Sequence, residues 1–453
     1  MTTVFMKSNS SNPGASNLQT PSEDETALFD MLAPRKKLAR NTYRIATSHG
    51  FLNVVDQAFV SVTSFATMIL VGRIGGDVEL GHYAVGFIYL WLLLSVPNAL
   101  VWIPFTVRIP RLKDPAKSRL ERSVAWHMIA FLFVSLPVTA TIAYRADPHN
   151  HAFVLCMNVF VIGMALREHS RRILMAEKKM IGLLFVDIPT CVVQLASIGL
   201  LSWLGMGQAT WILLSNGLVA LIPGCFLMIL SQCYKHAWHS SKLDLIRNWE
   251  IGKWLAGSAV VNASSEALVR FAIVIAMDIS ALGRFTAAYS LPMMANPLII
   301  ALSNFLRVTS AHEAVEDIPA KLRPRFLRWQ LVFVLIGVVV FGGIAIFGGL
   351  ASSFVYGERF RGLGGAISSI CSGLAISLIS IPSEVYLASH GRTKTLLVAS
   401  VARLVGVISI AAPLIYLFGL VGAGFTITLG YSIALMIQLL QTRKIFAKRN
   451  GGR

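Results

Sequence analysis

The stretch LVFVLIGVVVFGGIAIFGG, residues 331–349, decides how this chain folds. It holds no charged side chain, and Arg323, Arg325 and Arg328 stand just before it. At about 1.5 Å per residue a helix of that length nearly matches the roughly 30 Å hydrocarbon core of a bilayer. Lipid offers the backbone no hydrogen-bond partners, so such a segment crosses as a helix. Eleven further apolar segments resemble it. The twelve lie near 50–72, 82–107, 123–144, 152–167, 181–204, 210–232, 254–278, 285–307, 329–349, 363–389, 396–417 and 421–441.

The whole chain agrees with that reading. Of its 453 residues 55% are hydrophobic and only 14% charged, against about 25% charged in a soluble domain. An ordinary soluble enzyme, a disordered chain and a disulfide scaffold are excluded. The net charge of +18 would suggest nucleic acid in a soluble protein. Here the basic residues sit in short segments between apolar runs, which is positive-inside topology, and no nucleic-acid partner is expected. With a cytoplasmic N-terminus, five of the 40 Lys+Arg fall in outer loops: Arg73, Arg145, Arg284, Arg359 and Arg361. Arg270 and Arg403 lie within spans, and the other 33 (40 minus five minus two) are cytoplasmic. Both termini are thus expected in the cytoplasm.

The expected organisation is a polar tail over 1–45, a six-helix bundle over 46–232, a cytoplasmic linker over 233–253, a second six-helix bundle over 254–441 and a basic tail over 442–453. The first tail is too polar to bury a core of its own. The five cysteines form no CxxC pair or Cys/His cluster, so no disulfide frame or metal site is indicated. No phosphate loop, HExxH or GxSxG motif occurs, and no cofactor is expected.

The two halves repeat each other. Gly81-His82-Tyr83-Ala84-Val85 opens span 2, and Gly283-Arg284-Phe285-Thr286-Ala287 opens span 8. Pro97 and Pro297 follow. Leu204-Gly205-Met206-Gly207 and Phe418-Gly419-Leu420-Val421-Gly422-Ala423-Gly424 lead into the last span of each half. Two six-span halves in the same orientation make a parallel repeat about an axis along the membrane normal.

Six ionisable residues fall within the spans: Asp56, Asp187, Glu266, Arg270, Glu384 and Arg403. An unpaired charge at mid-bilayer costs at least about 2.5–3.5 kcal/mol, so such residues usually face the bundle interior or a wet cavity. Glu266 and Arg270 share one helical face. They form either a self-neutralising pair or a cavity lining in which Arg270 meets an anion. Asp187 and Arg403 lie at similar depth in the two halves and would pair across them or line one cavity; Arg403 would alternatively snorkel to the surface. Asp56 is a candidate for a coupling cation or proton, as is Glu384, with hydration at a helix end as the alternative for each.

The openings of spans 2 and 8, the glycine–alanine stretch before span 12 and the two six-span halves resemble the multidrug/oligosaccharidyl-lipid/polysaccharide exporter superfamily. Within it the chain looks most like the polysaccharide transporter branch of O-antigen or lipid-linked oligosaccharide flippases. The resemblance covers about 50–441. It implies an all-α integral membrane protein of about twelve transmembrane helices, in two pseudo-symmetric six-helix bundles around a central cavity. It implies a non-enzymatic flippase in the bacterial inner membrane that translocates a lipid-diphosphate-linked oligosaccharide by alternating access. Glycan polymerases or glycosyltransferases of the same pathway would be its partners. Arg270, Arg403, Glu266 and Asp187 would then line the substrate cavity, with Asp56 and Glu384 for the coupling ion. A proton- or sodium-coupled small-molecule exporter of the same fold is the second expectation. An integral-membrane glycan polymerase or acyltransferase is the third.

Overall fold

The computed structural model describes the backbone of residues 49–109, 112–146, 150–230, 238–316 and 319–450. The expected N-terminal tail lies outside these residues. The described chain runs as α1 (His49–Pro97), a π-helical turn (Asn98–Trp102), α2 (Ile103–Arg108), α3 (Asp114–Ala146), α4 (His151–Ala176), α5 (Met180–Trp203) and α6 (Ala209–Leu230). The second half follows as α7 (Trp238–Ala276), α8 (Ile279–Met293), α9 (Asn296–Glu316), α10 (Pro319–Tyr356), α11 (Gly364–Ser389) and α12 (Thr393–Asn450).

Nine of the described helices are long and apolar enough to cross a membrane, or ten if the bent pair α8–α9 is one span. Two stretches, Leu52–Thr106 and Thr393–Phe446, are 55 and 54 residues long. A straight helix of that length would reach about 80 Å, far beyond the roughly 30 Å of hydrocarbon. Each is broken by a glycine in a conformation that L side chains rarely adopt: Gly76 at φ 80°, ψ −166°, and Gly419 at φ 57°, ψ −135°. Counting each stretch as two crossings raises ten to twelve. The winding of span 2 changes again where Pro97 precedes the π-helical turn, because proline offers no N–H to the helical ladder. In the linker, α7 begins at Trp238 and runs without interruption into the seventh span.

The outward faces suit lipid. Phe133, Ile275 and Leu350 are each at least three-quarters exposed, and Trp203 and Tyr416 stand out near helix ends, where amphipathic rings favour the interface. A soluble protein rarely leaves so much apolar surface open.

The internal repeat is visible in the packing. A Cβ on Gly81 would fall 2.1 Å from the Ile279 carbonyl oxygen, and one on Gly283 would fall 1.8 Å from that of Asp77. Gly81 and Gly283 are 202 positions apart (283 minus 81), as are Asp77 and Ile279 (279 minus 77). Each residue of one half therefore meets the repeat mate of its partner, which is the signature of a two-fold contact. Tilted aromatic pairs recur at the same offset: Tyr83–Phe87 and Phe285–Tyr289. This seam lies at the end of the molecule opposite the basic loops. Ser280 Oγ donates to Asp77 Oδ2 there at 2.7 Å, and Arg73 donates to the Phe354 and Val355 carbonyls that end α10, at 2.6 Å each.

At the basic end, Lys117 and Lys179 each lie 2.7 Å from the Glu177 carboxylate in the α4–α5 turn. Burial would raise that carboxyl, but a hydrogen bond with Glu121 and the two ammonium groups outweigh it and hold Glu177 at about 2.

Candidate functional site

Two charged clusters sit inside the helices, one in each half, and they differ in charge balance. The first joins Asp56 of α1, Arg167, Glu168, Arg171 and Arg172 of α4, and Asp187 of α5. Arg167 and Arg171 are one helical turn apart, so both guanidinium groups leave the same face of α4. Arg171 spans the cluster, donating to Asp56 Oδ2 and Asp187 Oδ2 at 2.6 Å and to Glu168 at 3.0 Å. Arg167 donates twice to Asp187 Oδ1, at 2.8 and 3.1 Å. Asp56 and Asp187 are fully buried. Three carboxylates face three guanidinium groups, with Arg172 closing on Glu168 at 2.8 Å. The group is neutral, and lies about 7–10 Å along its helices from their basic ends. Asp56 Oδ1 is buried and accepts no hydrogen bond among the described residues.

The second cluster joins Glu266 and Arg270 of α7, Tyr289 of α8, and Arg403 and Tyr431 of α12. Glu266 Oε1 accepts from Arg403 Nη2 and from the Tyr431 hydroxyl at 3.1 Å. Its Oε2 accepts from Arg270 at 3.2 Å and from the Tyr289 hydroxyl at 3.4 Å. Each guanidinium lies over a tyrosine ring, Arg270 at 4.6 Å from that of Tyr289 and Arg403 at 3.7 Å from that of Tyr431. One carboxylate thus faces two guanidinium groups, a surplus of one positive charge. The cluster is also half-open, with the Glu266 side chain 22% exposed and that of Arg270 17%. Arg403 Nε is buried without an acceptor. Glu266 lies ten residues from the end of α7 and Arg403 ten from the start of α12, about 15 Å in each case, or half the bilayer core. Phe271, beside Arg270, meets Tyr89 of the first half with ring centres 5.3 Å apart, so this cluster borders the line between the halves.

Five of the six sequence candidates therefore gather, three in one cluster and two in the other, and only the Glu266–Arg270 pairing is as expected. Glu266, Arg270 and Arg403 come together. Asp187 does not pair with Arg403 across the halves; Arg167 and Arg171 of its own half hold it, because depth along a helix says nothing about the direction a side chain takes. Nor does Arg403 snorkel: it is 5% exposed and turned to Glu266. Asp56 joins Asp187 rather than standing alone. Glu384 belongs to neither cluster; its carboxylate accepts from Ser380 Oγ at 3.0 Å and Gln438 Nε2 at 3.2 Å. Sequence reasoning missed Arg167, at the edge of the fourth span, and Arg171, just beyond it, both counted with the cytoplasmic charge, and also Tyr289 and Tyr431. The Arg-x-x-x-Arg spacing was the available signal for the first two. Among the described residues no group of three or more His, Cys, Asp and Glu could hold a metal ion.

No protein-family model and no curated protein matches the chain. Solved structures do match. A multidrug resistance MATE family transporter of the MOP superfamily, in an inward-facing conformation, aligns with a TM-score of 0.71 at 13% identity over 86% of this chain and 96% of that one. A MOP superfamily transporter from Pyrococcus furiosus aligns with a TM-score of 0.65 at 12% identity, over 88% and 94%. The lipid II flippase MurJ, in an inward closed conformation, aligns with a TM-score of 0.64 at 13% identity, over 87% and 88%. Up to twelve crossings among the described residues, a two-fold seam between like halves and these alignments give the chain the fold seen in solved transporters of the MOP superfamily.

Proposed function

We propose that the chain is a flippase for a lipid-diphosphate-linked oligosaccharide, working by alternating access in the bacterial inner membrane with both termini in the cytoplasm. The observation that carries this reading is the surplus guanidinium of the Glu266–Arg270–Arg403 cluster. It lies at mid-depth, partly open and beside the line between the halves. A diphosphate is the anionic part of such a cargo, and a planar guanidinium donates two parallel hydrogen bonds to it. The sugar would occupy the polar gap and the polyprenyl tail the surrounding lipid. Glycan polymerases or glycosyltransferases of the same pathway would supply and take up the cargo.

The test is transport in vesicles holding purified protein and a fluorescent lipid-diphosphate oligosaccharide, without ATP. Wild type is expected to move the label to the far leaflet. Arg270→Ala and Arg403→Ala each leave one Glu–Arg pair, a neutral cluster, so both variants are expected to insert and fold normally. Each is expected to slow transport about tenfold to a hundredfold, from the loss of charge-assisted hydrogen bonds worth roughly 1.5–3 kcal/mol. Normal flipping by both would remove the cluster from the pathway.

A second reading rests on the open Asp56 Oδ1. A buried carboxylate with a vacant acceptor is a place for a proton, so a proton-coupled exporter of small molecules is the alternative. Expulsion of a cationic dye under a proton gradient, abolished in Asp56→Asn, would favour it.

A further inference from the structure

At the basic end of the second half, the α11–α12 turn and the far end of α12 enclose a cavity of about 340 Å³. Its polar wall consists of His390, Arg392, Thr395, Gln441 and Lys444. The wall holds no carboxylate, and among the described residues neither Arg392 nor Lys444 makes an ion pair. Gly391, at φ 70°, makes the sharp α11–α12 turn, and the break at Gly419 folds α12 back so that its far end comes beside its start.

We propose that this cavity binds a phosphate group, as carried by an anionic lipid headgroup or by free phosphate. Two cations without counter-ions repel each other across a small space, and an anion between them removes that repulsion. A phosphate suits this donor set, since the Arg392 fork and the Lys444 point charge can share its oxygens with the Thr395 and Gln441 side chains. The volume falls within the range of small-ligand pockets. Basic pockets between helices at this level of a membrane protein are where lipid headgroups bind. The site is distinct from the mid-depth cluster: Arg392 precedes Arg403 by eleven residues, about 16 Å along the helix.

The experiment follows thermal unfolding of the full chain in phosphatidylcholine nanodiscs, in discs containing phosphatidylglycerol, and in phosphatidylcholine discs titrated with inorganic phosphate. Wild type is expected to gain Tm in at least one of the last two conditions. A gain only with phosphatidylglycerol identifies a headgroup, and a gain with inorganic phosphate alone identifies the free ion; both support the site. Both side chains are exposed, so Arg392→Gln/Lys444→Gln is expected to keep the Tm of wild type in plain phosphatidylcholine and to bind about tenfold more weakly per charge lost. Lys242→Gln/Arg247→Gln removes the same charge from the exposed face of α7 and is expected to respond as wild type. The proposal is overturned if wild type gains nothing in either condition, if the Arg392/Lys444 variant responds in full, or if the α7 variant loses the response equally.

Discussion

Arg171 shows how a buried charge is tolerated. Its side chain is 9% exposed and touches three carboxylates, Asp56, Asp187 and Glu168. Replacing it with glutamine leaves Asp187 to Arg167 and Glu168 to Arg172, but strands the fully buried Asp56. Stranding a buried partner costs about 3–5 kcal/mol, so Arg171→Gln is expected to lower Tm strongly and reduce the yield of folded protein. Adding Asp56→Asn restores neutrality and is expected to recover a large part of that loss in a double-mutant cycle. A single variant with the Tm of wild type would show that Asp56 is not held by this ion pair. The second half behaves differently at the same scale. Its arginines outnumber the carboxylate, so losing one guanidinium strands nothing; this is why Arg270 is expected to matter for transport and Arg171 for folding.

Among the elements, the halves meet through backbone rather than side chain. Gly283 brings α8 so close to α1 that a methyl group would overlap the Asp77 carbonyl oxygen. Gly283→Ala is therefore expected to cost about 1–3 kcal/mol as the helices shift apart. Gly342→Ala, where nothing lies within 4 Å of an added Cβ, is expected to leave Tm unchanged or slightly raised. Equal Tm values for the two variants would contradict the close approach. The sequence made the crossings themselves legible, because twenty apolar residues leave the backbone no choice but a helix. It also marked the breaks, since Gly76 and Gly419 fall in the gaps between apolar segments. The end of α4 was not legible in the same way. Arg167, Arg171 and Arg172 read as cytoplasmic charge, yet the helix runs to Ala176 because Asp56 and Asp187 neutralise Arg167 and Arg171 from neighbouring helices and Glu168 neutralises Arg172 from the same one. The site was half legible for a related reason. Glu266 and Arg270 share one helix, so spacing alone puts them together. Tyr289, Tyr431 and the partners of Asp187 come from other helices, and no spacing along one helix encodes the azimuth of the next.

For the molecule as a whole, alternating access requires the two halves to part where they now touch. The contacts opposite the basic loops form one such place: the Gly81–Gly283 seam, the Asp77–Ser280 hydrogen bond, and Arg73 on the end of α10. Among the described residues no ion pair ties the seam; its glycines lie in close contact and its hydrogen bonds are few, so it can open without stranding a buried charge. Each half is fastened internally by its own charged cluster. The expected motion is therefore rigid rocking of one half against the other about the two-fold axis. Cysteines at Asp77 and Ser280, in a chain whose five native cysteines are replaced, would sit where the present side chains meet at 2.7 Å. Oxidation is expected to join them, stop transport of whichever cargo the chain carries and leave Tm unchanged or higher, and reduction is expected to restore transport. Transport at the full rate with the cross-link in place would mean that this seam never opens, and the rocking motion would have to be given up even if the mid-depth arginines proved essential.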